Sequence, residues 1–121
     1  MHSVLFLDDD PHRQVVFQAK VPSATQVWNA KDCIAQLASQ DWDEVHLDHD
    51  LGEEIYVDSE LPNTGMEVCR WIQANHPKIR RIVVHSFNAP AAWRMVSTLK
   101  DAGYAVVYIP FGQRRQFEDE V

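Results

Sequence analysis

Five short apolar runs, rich in β-branched and aromatic residues, alternate with four stretches patterned for helices, and this alternation leaves few folds open. The runs are residues 3–7, 25–29, 44–48, 81–86 and 104–109. Between the first two, Asp10 is placed to cap a helix that opens at Pro11 and stops before Pro22. Residues 30–40 put Cys33, Ile34, Leu37 and Ala38 on one stripe. Thr64 caps a helix over 65–76 with Met66, Val68, Cys69 and Ile72 inward, and Pro77 stops it. A fourth helix, 89–102, presents Trp93, Val96 and Leu99 and ends at Gly103. Strands that alternate with helices form a parallel sheet covered on both faces. Right-handed crossovers then favour the strand order 2-1-3-4-5, which sets the first and third strands side by side where the winding reverses. The expectation is one α/β domain over 1–121, a three-layer sandwich around a five-stranded parallel sheet.

Two of those strands end in acid. Val4-Leu5-Phe6-Leu7 runs into Asp8-Asp9-Asp10, and Val45-His46-Leu47 into Asp48-His49-Asp50. Side by side and parallel, they bring at least four carboxylates to one sheet edge. Two unit charges ~4 Å apart repel by roughly 4 kcal/mol at an effective dielectric near 20. Such a cluster persists by taking up protons or a cation. Oxygen ligands suit Mg²⁺ first, with Mn²⁺ or Zn²⁺ as alternatives, and Asp8, Asp9, Asp48 and Asp50 are the candidate metal ligands. Asp10, before Pro11, reads as a cap instead. Residues 51–63 are irregular and acidic and read as a long loop over the strand ends, and 111–121 as a polar tail.

A net charge of −7 argues against broad attachment to DNA or to an anionic membrane. Cys33 and Cys69 lie in apolar helical patterns and read as core residues. With no leader and no 18-residue apolar span in this sequence, the expected location is the cytoplasm.

The ordered motifs resemble a response-regulator receiver domain over nearly the whole chain, of flavodoxin/CheY-like fold. Asp8-Asp9 matches the receiver's acidic pair, Asp48 its phosphoacceptor, Thr64-Gly65-Met66 its third-helix motif, and Ser86 the hydroxyl that ends its fourth strand. Where receivers carry a lysine, this chain has Ile109 before Pro110-Phe111, and the few residues that follow imply a fifth helix that is short or missing. Arg13, Asp48-His49-Asp50-Leu51-Gly52, Gly65-Met66 and His85-Ser86-Phe87-Asn88 resemble a divergent group, the cyclic-phosphate-processing receiver domains.

That resemblance implies metal-dependent opening of a cyclic phosphate in a nucleotide or RNA end. Asp48, His85, His49 and Ser86 are then the candidate catalytic residues, the histidines because imidazole changes protonation near neutral pH. Arg13 and Asn88 are the candidates for holding phosphate oxygens. Ser86 reads equally as a strand-end cap, His46 as a hydrogen-bonded core residue, and the four tryptophans as packing. Two other functions stay open: a signalling receiver in which Asp48 accepts a phosphoryl group from a kinase, and a non-catalytic interaction domain.

Overall fold

The computed structural model describes residues 2–51, 58 and 60–111. In chain order the elements are β1 (Val4–Leu7), α1 (Pro11–Lys20), β2 (Thr25–Val27), α2 (Ala30–Ser39), β3 (Trp42–Leu47), α3 (Gly65–Asn75), β4 (Ile79–Val84), α4 (Ala89–Asp101) and β5 (Val106–Tyr108). The five strands are all parallel, in the order β2-β1-β3-β4-β5. The expected strands and helices are all present, with ends shifted by a residue or two. β3 starts two residues early, at Trp42, because Trp42 pairs with Ile79 across the sheet. Most of the expected loop over 51–63, and the tail from 112 with any fifth helix, lie outside the described residues.

Side-chain alternation sorts the sheet into two faces. Leu5 and Leu7, Val45 and Leu47, and Ile82 and Val84 point into the main core with Cys33, Leu37, Val68, Cys69, Ile72, Met95 and Leu99 from α2, α3 and α4. Val4 and Phe6 point the other way and pack with Phe17 of α1 and Ala24. The Phe6 and Phe17 rings stack at 4.0 Å between centroids. Both cysteines are free and buried, as their apolar setting implied.

One helix reading needs correction. Trp93 is not inward but 58% exposed, because α4 buries the stripe Ala92, Met95, Val96 and Leu99, and Trp93 lies off that stripe. Its ring instead meets Tyr108 edge-on at 5.2 Å.

Each helix starts on its sequence-encoded cap: Asp10 accepts from the N–H groups of His12 and Arg13, Asn29 from Asp32, Thr64 from Glu67 and Asn88 from Ala91. Each such cap contributes ~1 kcal/mol. No helix among the described residues is long and apolar enough to cross a membrane.

Candidate metal and phosphate site

Strand register builds the site. Leu7, Leu47 and Val84 stand abreast in the sheet. The next residue on each strand, Asp8, Asp48 and His85, donates its N–H to the neighbouring strand, to Val27, Leu7 and Leu47 respectively. The three therefore form one row, on the face that carries Phe6. Each offers a ligand atom, and the three atoms lie within 4.8 Å of one another. All three side chains are buried. His85 stacks on Phe6, ring centroids 4.9 Å apart and ring planes nearly parallel. Ile109 extends the same row, its N–H donating to Val84.

Asp8 is heavily engaged. It accepts hydrogen bonds from the Asp10 N–H (2.9 Å), from Arg13 Nε (2.7 Å) and Nη2 (3.0 Å), and from His85 Nε2 (2.9 Å). Burial alone would raise its pKa, but these donors outweigh burial and hold it at about 2. Asp48 is the opposite case. Burial, then the Asp8 charge, pushes its pKa well above the usual carboxylate range, against a pull from Arg13. Its Oδ2 is buried without a hydrogen-bond partner among the described residues and lies 3.7 Å from Arg13 Nη2. Burial lowers the pKa of His85, so the ring is neutral at pH 7 with its proton on Nε2, facing Asp8. Arg13 holds ionised Asp8, stands 3.7 Å from Asp48 and has its Nη1 3.5 Å from Asp10. Arg13 is thus a tethered counter-cation inside the pocket.

The sequence candidates divide into two groups. Asp8, Asp48, His85 and Arg13 meet in the pocket. His49 and Asp50 form a neighbouring network: Asp50 Oδ1 lies 2.8 Å from His49 Nδ1 and accepts from Asn88 Nδ2 at 3.1 Å. Asp50 also bridges Thr64 across an antiparallel pair. Ser86 Oγ accepts the Asn88 N–H and its carbonyl accepts the Tyr108 hydroxyl, so Ser86 ties the β4–α4 turn, while His85 holds the place in the row. Asp9 is partly exposed and close enough to Asp48 to raise its pKa, yet is not one of the three converging ligands. Asp10 caps α1, and His46 is a buried core residue with Nε2 2.8 Å from Glu44, as expected.

Two features escaped the sequence reading. Gly65 is required by space: a Cβ there would overlap the Asp48 carbonyl and stand 2.7 Å from Met95 Cε and 2.9 Å from His49 Cα. The helix start is thereby pressed against the end of β3. The other is Phe87, whose ring lies 5.6 Å from the Arg13 guanidinium carbon.

The donor set fits a divalent cation. Asp48 Oδ2 is a buried anionic position that needs either a proton or a metal, with a second carboxylate and an imidazole beside it. Oxygen-rich with one nitrogen, the set suits Mg²⁺ or Mn²⁺, and Zn²⁺ through His85.

Fold and site together define a receiver-like α/β protein with an altered acidic pocket. Residues 3–101 match the cyclic-phosphate processing receiver domain, and the chain belongs to that family. Among solved structures, the signal receiver domain of a putative LuxO repressor protein from Vibrio parahaemolyticus is similar, with a TM-score of 0.71 at 14% identity over 98% of this chain and 85% of that one. The response regulator TrrA from Thermotoga maritima, in complex with Mg²⁺–BeF, gives 0.68 at 17% identity over 99% and 95%. A Burkholderia pseudomallei response regulator with a phosphorylated aspartic acid, calcium ion and citrate gives 0.66 at 12% over 96% and 63%. At these identities the likeness is one of fold. Curated protein sequences gave no match.

Proposed function

We propose that the pocket opens cyclic phosphates in nucleotides or at RNA ends, with a divalent metal held by Asp48, Asp8 and His85. The observation that carries this is the buried Asp48 oxygen, without a hydrogen bond among the described residues, in a row with a second carboxylate and an imidazole. When bound, such a cation polarises a phosphoryl oxygen and acidifies water. Asp48 is the open ligand, since Asp8 already receives four hydrogen bonds. Arg13 commits two N–H groups to Asp8 and has Nη1 3.5 Å from Asp10 Oδ2, and the N–H groups left over can serve non-bridging oxygens of a phosphate. Neutral His85, with its Nε2 proton turned to Asp8, offers Nδ1 as its lone-pair nitrogen. Asn88 acts at one remove, steadying Asp50 and the first turn of α4.

The test is incubation of the purified protein with Mg²⁺ or Mn²⁺ and 2′,3′-cyclic nucleotides, cyclic RNA ends and cyclic oligonucleotides. Opening of one class supports the proposal, and recovery of all three intact overturns it. The phosphoacceptor reading has less support, because Ile109 takes the row position of a cation. Stoichiometric labelling of Asp48 by acetyl phosphate would reverse that preference.

A further inference from the structure

Phe87 follows the row residue His85 by two positions and is 58% exposed, unusual for a phenylalanine at the rim of a polar pocket. A single exposed aromatic is ordinary by itself. Its setting is not. The Arg13 guanidinium lies over the ring with its carbon 5.6 Å from the centroid, a cation–π approach, and the same guanidinium holds Asp8 and reaches toward Asp48. Phe87 is therefore one guanidinium's breadth from the metal and phosphate site, with one face toward Arg13 and a large part of the ring in solvent. Its backbone is pinned on both sides. Ser86 is fixed by the Tyr108 hydroxyl, and Asn88 by its N–H on Ser86 Oγ and its side chain on Asp50. The ring is thus presented on a rigid turn.

We infer that Phe87 is a stacking platform for the base of the substrate, so that the pocket takes base-bearing nucleotides or RNA ends in preference to bare cyclic phosphates. A flat π-face beside a guanidinium is the chemistry that binds a nucleobase without reading its identity, since every base presents a π-face. The spacing suits a nucleotide, whose phosphate and base are separated by one sugar. This inference rests on the proposed phosphate-handling role and narrows it: the preference is for the presence of a base, with little discrimination among the four.

The test uses the full chain with Mn²⁺ and two readouts. The first is equilibrium dialysis of uridine 3′-phosphate and adenosine 3′-phosphate against inorganic phosphate. The second is kcat/KM for uridine 2′,3′-cyclic phosphate and a short RNA with a cyclic end, each against the base-free ethylene cyclic phosphate. Wild type is expected to favour the base-bearing member of each pair by about tenfold or more. Phe87→Ala should remove most of that advantage for both nucleotides and for the RNA, and Phe87→Trp should restore it. Comparing ratios separates stacking from any disturbance of Arg13, which affects both members of a pair. An advantage that Phe87→Ala leaves intact, or no advantage in wild type, overturns the platform even if ring opening proceeds. Base-dependent binding that requires Phe87, with no ring opened, supports the platform and fails the ring-opening proposal instead.

Discussion

Replacing Asp48 by asparagine tests the electrostatic argument without reference to any reaction. The Asp48 Oδ2 lies 3.7 Å from Arg13, and its ligand atom lies within 4.8 Å of that of Asp8. At an effective dielectric near 20, one charge pair at ~4 Å is worth roughly 4 kcal/mol. Attraction to Arg13 and repulsion from Asp8 therefore nearly cancel. What remains is the cost of burying a carboxylate oxygen that receives no hydrogen bond, about 1–3 kcal/mol. Asparagine keeps the shape and removes the charge, so the metal-free variant should be more stable by about that amount at pH 8. For a chain of this length that is a rise in Tm of ~3–10 °C. The sign fixes the pH dependence. Because the folded pKa of Asp48 is raised, wild type is at no disadvantage below the ordinary carboxylate value near 4, and loses stability as pH rises from there to the folded pKa. The advantage of Asp48→Asn should grow over that window and then level off. Thermal unfolding followed by circular dichroism in EDTA, from pH 4 to 9, measures it. With Mn²⁺ added, wild type should gain Tm and the variant little. A variant less stable than wild type across the whole range, or one whose advantage ignores pH, would refute the reasoning.

Other perturbations probe the same pocket. Arg13→Ala leaves buried Asp8 without its bidentate partner and should cost about 2–4 kcal/mol in denaturant unfolding, discounted because Arg13 is 23% exposed. The same variant should bind Mn²⁺ more tightly by calorimetry, since a competing cation is gone, whereas Arg13→Lys should recover only part of the stability because ammonium cannot form the fork. Gly65→Ala drives a methyl group into the Asp48 carbonyl and should cost at least about 1–3 kcal/mol while erasing the metal-induced rise in Tm. Asp8, with its pKa held at about 2 against 3.8, contributes ~2 kcal/mol that is present above pH 4 and lost as pH falls toward 2. That acid-limb slope should flatten in Asp8→Asn.

How much of this was legible in the sequence depends on the range of the interaction that decided it. The strands, helices and their order followed from local periodicity and from caps such as Asp10 and Thr64, which act within three residues. The sheet order and the convergence of Asp8 with Asp48 followed from topology. Trp93 was misjudged because helix phase over two turns accommodates either face, and the stripe that packs is Ala92, Met95, Val96 and Leu99. Asp50 is engaged by His49 and Asn88, and an acidic run does not say which member points into the row. Register says so, and register is set by pairing across strands: Asp8, Asp48 and His85 alternate with Leu7, Leu47 and Val84, and their neighbours Asp9, His49 and Ser86 fall on the other side. Ser86, one residue past the row, falls on the face opposite His85, since a shift of one residue exchanges faces.

The pocket's cation shows why substitutions in this site must be read together. A receiver's lysine would come from the end of β5, where this chain has Ile109 in the row. Here the positive charge comes from α1, five residues after Asp8, and grips Asp8 with two bonds while standing only 3.7 Å from Asp48. This exchange changes the geometry of the pocket. A cation on β5 would face Asp48 across the sheet edge; a guanidinium on α1 leaves the β5 side apolar and turns its own outer face to Phe87. His85 then fills space beside Asp8 with a ring instead of a hydroxyl. Reverting Ile109 to lysine alone would therefore add a second cation to a pocket that already holds Arg13. The expected result is a weaker response to Mn²⁺ in thermal unfolding, without phosphoacceptor behaviour toward acetyl phosphate. Gain of stoichiometric labelling in Ile109→Lys would instead mean that the receiver chemistry survives intact beneath a single changed residue.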